Sequence, residues 1–171
     1  MAIQTIMLHL KTCATDAGIP PMVAATILGA VGGASVLGRI AMGSLSDRIG
    51  RRQAYLICLL LMAVMMLWLT RAEQVWQFYL FAAILGFGYG GCIPLGPAIV
   101  GDWFGTKSHG GILGTLSLSG VFAGVGPVMA GRIYDVMGSY NLASTIEAAM
   151  LFVAAGCCLL LKAPVKTNPR K

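Results

Sequence analysis

Five stretches of this 171-residue chain are apolar over close to the length that a helix needs to cross a bilayer. About 20 helical residues span the hydrocarbon core. The first run extends from about Ala17 to Gly38, meets Arg39 and ends near Gly43. The second, Ala54 to Thr70, is short but dense in Leu and Met; the third is Gln77 to Val100. The fourth is Gly110 to Gly131, and the fifth, Leu142 to Leu161, is interrupted only by Glu147. In hydrocarbon every backbone N–H and C=O needs a partner within the segment, so such runs are predicted to be helices. A barrel would need strands of alternating hydrophobicity, and these runs do not alternate. The expected fold is therefore all-α and membrane-embedded, with five complete spans. Met1 to Thr12 is apolar but too short to cross; it reads as the end of a further helix rather than a signal peptide.

Composition agrees. The chain is 57% hydrophobic and 11% charged, and its mean hydropathy is +0.81. The formal net charge of +6 marks orientation rather than nucleic acid. Setting Arg39 aside, one side of the bilayer holds Arg48, Arg51, Arg52, Lys107, Lys162, Lys166, Arg170 and Lys171, and the other holds Lys11, Arg71 and Arg132. Basic short loops stay in the cytoplasm. That bias predicts a cytoplasmic Gly43–Arg52 loop and a cytoplasmic basic tail, 162–171, in a multi-pass protein of the plasma or inner membrane. Connections of about 6 to 11 residues predict antiparallel neighbours. No soluble domain is expected.

Several chemistries are excluded. The five cysteines (Cys13, Cys58, Cys92, Cys157, Cys158) show no metal-ligand spacing, and four lie inside spans as small packing residues. Gly86-Phe87-Gly88-Tyr89-Gly90-Gly91 fits the dinucleotide pattern GxGxxG by letter. It lacks the preceding strand and the later acid that such a site needs. No nucleophile, metal set or acid–base pair suggests an enzyme, and no cofactor is expected. Gly29–Gly33, Gly86–Gly90, Gly110–Gly114 and Gly120–Gly124 have the spacing that lets helices approach closely in lipid. Pro94, Pro97 and Pro127 predict kinks within spans.

Between the first two spans the chain reads Gly43-Ser44-Leu45-Ser46-Asp47-Arg48-Ile49-Gly50-Arg51-Arg52. This resembles the G-x-x-x-D-R-x-G-R-R loop of the major facilitator superfamily. Gly101-Asp102-Trp103-Phe104-Gly105, Gly131-Arg132-Ile133-Tyr134-Asp135 with Gly138-Ser139-Tyr140, and His9-Leu10 with Ala14-Thr15-Asp16-Ala17-Gly18-Ile19 resemble loops of its monocarboxylate and oxalate/formate branch. The resemblance implies helices eight to twelve of a twelve-helix transporter, with the end of the seventh: residues 1–161 as a C-terminal half.

It also implies roles. The loop residues Gly43, Asp47, Arg48, Gly50, Arg51 and Arg52 would latch one gating state. Gly43 would be small where helices cross, Asp47 would accept bonds at a neighbouring helix start, and the arginines would meet acids or lipid phosphates. Arg39 would bind a substrate carboxylate, which a guanidinium matches; it lies about 6 Å deeper than Gly43 at 1.5 Å per residue. His9 would sit at the end of the seventh helix. Apart from the resemblance, Tyr89, Ser117 and Ser119 are polar residues within spans that could line a cavity, and Glu147, an acid within a span, is a proton-coupling candidate. The sequence departs from the branch at Ser35, where an acid is common, and in lacking a lysine between Gly110 and Gly131. Recognition of a dianion by two cations is therefore not expected, and a monocarboxylate remains. The expected partners are the bilayer, a small organic anion, and a missing N-terminal half or a second copy; no nucleic acid is expected. The alternative is a membrane interaction protein or degenerate transporter fragment without transport.

Overall fold

In a computed structural model, the protein is described at residues 20–72, 74–104, 110–115, 127–128, 131–134 and 141–160. Four long helices dominate: α1 (Pro21–Ile49), α2 (Arg51–Leu69), α3 (Val75–Phe104) and α4 (Asn141–Leu160). Each is long and apolar enough to cross a membrane. They correspond to four of the five anticipated spans. The fourth anticipated span, 110–131, falls largely outside the described residues; it is helical at 110–115 and 127–128, and a helical stretch follows at 131–134.

Local chemistry sets the ends. Pro21 opens α1, where its missing N–H costs nothing, and the amides of Val23 and Ala24 bond to the Pro20 carbonyl at 2.9 and 3.1 Å. α1 does not stop where the charges begin. It runs through Gly43-Ser44-Leu45-Ser46-Asp47-Arg48-Ile49 and ends at Gly50, with φ +95. α2 starts at the next residue. The stretch anticipated as a loop is therefore the last two turns of one helix, a single glycine, and the first turn of the next. The physical reason is length: 29 residues at about 1.5 Å each exceed a core of about 30 Å. The helix projects beyond the apolar zone, so loss of hydropathy does not mean loss of helix. The connection is one residue, shorter than the 6 to 11 anticipated.

At the other end of α2, Thr70 Oγ1 donates to the Leu67 carbonyl at 2.7 Å, and the amides of Arg71 and Ala72 take up those of Trp68 and Leu69. α3 is opened by Gln77 Oε1, which accepts from the Gln74 amide at 2.9 Å, half of a capping box.

α3 is the central helix, and its glycines explain how. A side chain at Gly86 or Gly90 would be driven into the backbone carbonyls of Val31 and Ser35 on α1; one at Gly38 would meet the Phe87 carbonyl. A Cβ at Gly88 or Gly91 would instead meet Met62 or Cys58 of α2, with Met42 of α1 also against Gly91. The letters that mimic a nucleotide motif are two packing stripes on adjacent faces of α3. By contrast, Gly29, Gly33, Gly43, Gly110 and Gly114 have nothing within 4 Å of a Cβ among the described residues. Among the described residues no helix approaches closely at Gly43, and the positive φ of the turn falls at Gly50. Gly120–Gly124 lies outside the described residues.

The core holds Ile27 and Val31 of α1, Met62 and Met66 of α2, Phe81 and Leu85 of α3, and Ala148 and Ala155 of α4. A smaller cluster, Met42, Ala54, Cys58 and Leu95, lies toward the charged end. The outside is apolar as well: Leu37, Ile40, Val64, Val153 and Leu160 are all exposed. Such a surface is an aggregation hazard in water and a lipid-facing one in a bilayer.

Candidate functional site

Four helix ends meet where the arginines cluster. Arg51, first residue of α2, donates from Nη1 to Asp102 Oδ1 at 2.9 Å and to the Ala98 carbonyl at 3.1 Å, both in the last two turns of α3. Arg52 donates from Nε to the Cys158 carbonyl at 3.0 Å and from Nη2 to that of Leu159. Those carbonyls are among the last four of α4, which have no donor within their own helix. A cation there also complements the negative end of the helix dipole. One arginine pair thus fastens the start of α2 to the ends of both α3 and α4. The helices α3 and α4 consequently run in the same direction, opposite to α2.

The rest of the charged stretch is differently disposed. Asp47 and Arg48 are exposed on the last turn of α1, and neither makes a hydrogen bond or ion pair with another described residue. The bond from Asp47 to a neighbouring helix start is not present among the described residues. Arg51 does meet an acid, as its residue type suggests; that Arg52 would cap a helix end was not readable from sequence.

Arg39 is exposed on α1 and has no hydrogen-bond or ion-pair partner among the described residues. It follows Gly38, which packs on Phe87, and precedes Ile40, 66% exposed. The guanidinium leaves the helix beside the α1–α3 seam, on a face that nothing described covers. Ser35, one turn earlier, is buried and donates to its own helix at the Gly32 carbonyl, 2.7 Å away. It therefore offers Arg39 no acid, and no hydrogen bond joins the two side chains.

Tyr89 is partly buried and packs against the main core. Glu147 is half-buried on α4 and takes part in a polar interaction. His9, Ser117 and Ser119 lie outside the described residues. One polar contact was not anticipated: the Thr26 and Tyr79 hydroxyls share a hydrogen bond between α1 and α3, at the end opposite the arginines.

The whole chain, residues 1–171, matches the family described as the Major Facilitator Superfamily. Curated relatives include proteins named multidrug resistance protein MdtG. That of Salmonella arizonae is 37% identical over 122 residues, covering 70% of this chain and 28% of the relative. That of Enterobacter lignolyticus is 37% identical over 122 residues, 70% of this chain and 27% of the relative. That of Proteus mirabilis is 36% identical over 112 residues, 65% of this chain and 27% of the relative. The matched part of the chain thus spans under a third of each relative.

Proposed function

The chain belongs to the Major Facilitator Superfamily, and from that premise we propose that it forms the C-terminal side of a secondary transporter that works by alternating access. It is an integral membrane protein, with four membrane-length helices among its described residues. In the proposed arrangement the substrate path lies near the midplane between this bundle and a second one, as in two-half transporters. The second bundle is an N-terminal half or another copy. The arginine-rich end is cytoplasmic, in keeping with the positive-inside bias. Parallel α3 and α4 support a further crossing between them, at 110–131.

The observation that carries a substrate reading is Arg39. A cation in an apolar helix, exposed beside the α1–α3 seam and without a partner among the described residues, favours an anionic group on the transported solute. We read the substrate as a small organic anion, with a monocarboxylate the simplest case. The second reading is export of varied amphipathic compounds. It is favoured by the identity to proteins named for multidrug resistance, and by the apolar exposed face around Val36, Leu37 and Ile40.

A transport panel separates them. The protein, reconstituted with its completing half, is assayed with labelled lactate, formate and oxalate and with a lipophilic cationic dye. The anion reading expects uptake of an organic acid that Arg39→Ala lowers by on the order of tenfold or more, the scale of a lost charge-assisted contact. Dye transport that Arg39→Ala leaves unchanged, with no acid uptake, would select the multidrug reading. Absence of transport for every solute would favour a non-transporting interaction protein.

A further inference from the structure

The end of the bundle opposite Arg51 and Arg52 carries a groove of about 400 Å³, lined by Val64, Leu67, Trp68, Thr70, Arg71 and Gln77. Its lining is graded. Val64 and Leu67, 50% and 42% exposed, belong to the outward apolar face of α2. Thr70 and Arg71 stand at the helix end, and Gln77 comes from the first turn of α3. Arg71 is exposed, and its guanidinium has no hydrogen-bond or ion-pair partner among the described residues. Trp68 stacks edge-on with Trp76, ring centroids 6.4 Å apart. Tryptophans collect at the level of lipid headgroups, where one end of the ring is wet.

We propose that this groove is a binding site for an anionic phospholipid, its phosphate at Arg71 and its upper acyl chain along Val64 and Leu67. Three features select that occupant. An apolar floor continues directly into the lipid-facing side of α2. The polar rim sits at the end of a membrane-length helix, at the depth where headgroups lie. Among the described residues, the one charged group lining the groove is a planar cation with no hydrogen-bond or ion-pair partner, which a phosphate diester complements. A free phosphate would use the rim and leave the apolar floor unfilled. A zwitterionic lipid would bring its ammonium toward Arg71.

The test uses the full protein in phosphatidylcholine nanodiscs doped with a photoactivatable phosphatidylglycerol. After irradiation and proteolysis, the label is expected between Val64 and Gln77. Arg71→Gln is expected to lower labelling on the order of five-fold, the scale of one interfacial arginine. Arg71→Lys should keep most of it, and Arg132→Gln should leave it unchanged. Equal labelling in Arg71→Gln would overturn the proposal, as would an equal loss in Arg132→Gln. Displacement by millimolar inorganic phosphate would also overturn it, because the site would then be one for a free anion.

Discussion

Arg51 Nη1 lies 2.9 Å from Asp102 Oδ1 and 3.1 Å from the Ala98 carbonyl, so one guanidinium nitrogen ties the first turn of α2 to the last two turns of α3. Both side chains are about half open to solvent, at 37% and 50%. The ion pair is therefore worth little by itself, roughly 0–1 kcal/mol. A double-mutant cycle with Arg51→Ala and Asp102→Ala, read by unfolding in detergent, is expected to give a coupling below about 1 kcal/mol. Arg51→Ala should cost more than Asp102→Ala, because it also leaves the Ala98 carbonyl without that donor.

Arg52 acts on the end of α4. Its guanidinium serves the Cys158 and Leu159 carbonyls, so Arg52→Ala should fray the last turn. Hydrogen exchange at amides 157–160 is expected to quicken while α1 and α3 are unaffected. The loss should be about 1.5 kcal/mol, the low end of the net value of a hydrogen bond from a charged group. Arg52→Lys should restore it in part, since it keeps the charge without the fork.

Gly50 and Gly43 should behave oppositely despite sharing one motif. Gly50 holds φ +95 and ψ 137, a conformation nearly closed to L side chains. Gly50→Ala is expected to cost about 1–3 kcal/mol. Gly43 is helical, with nothing within 4 Å of an added Cβ. Gly43→Ala should be neutral or slightly stabilising, by at most about 1 kcal/mol from helix propensity. Equilibrium unfolding of the two variants side by side checks the contrast.

Much of the fold was legible because bilayers demand long apolar helices, and four of them stand where the apolar runs are. What hydropathy could not show is where a helix continues into water: Gly43 to Ile49 changes composition without changing conformation. Glycine spacing was legible as a packing signal but not as a contact. Gly86–Gly90 meets α1, whereas Gly29–Gly33, with the same spacing, meets nothing described. The difference lies in which face each helix turns to its neighbour: α1 meets α3 through Val31, Ser35 and Gly38, and that depends on the whole bundle. Arg39 stood out because one charge in an apolar run is conspicuous. The partners of Arg51 and Arg52 are 51 and 106 residues away in sequence, and no local pattern marks them.

Those glycine contacts give a graded series. Gly90→Ala and Gly86→Ala place a methyl against backbone carbonyls of α1, which cannot rotate away. Each should cost about 1–3 kcal/mol or more by overpacking. Gly88→Ala meets the flexible Met62 side chain first and should cost less, while Gly33→Ala should be tolerated. Yield of monodisperse protein on size exclusion, with denaturant midpoints, would rank the four.

The placement of Arg39 on the transport path is tested most directly by labelling an Arg39→Cys variant with a charged, membrane-impermeant thiol reagent, mapped by mass spectrometry against the native cysteines. The account predicts that residue 39 is labelled, and that the solute found to be transported slows the labelling. Labelling by a lipid-soluble maleimide alone, or labelling by the charged reagent that no transported solute slows, would contradict it.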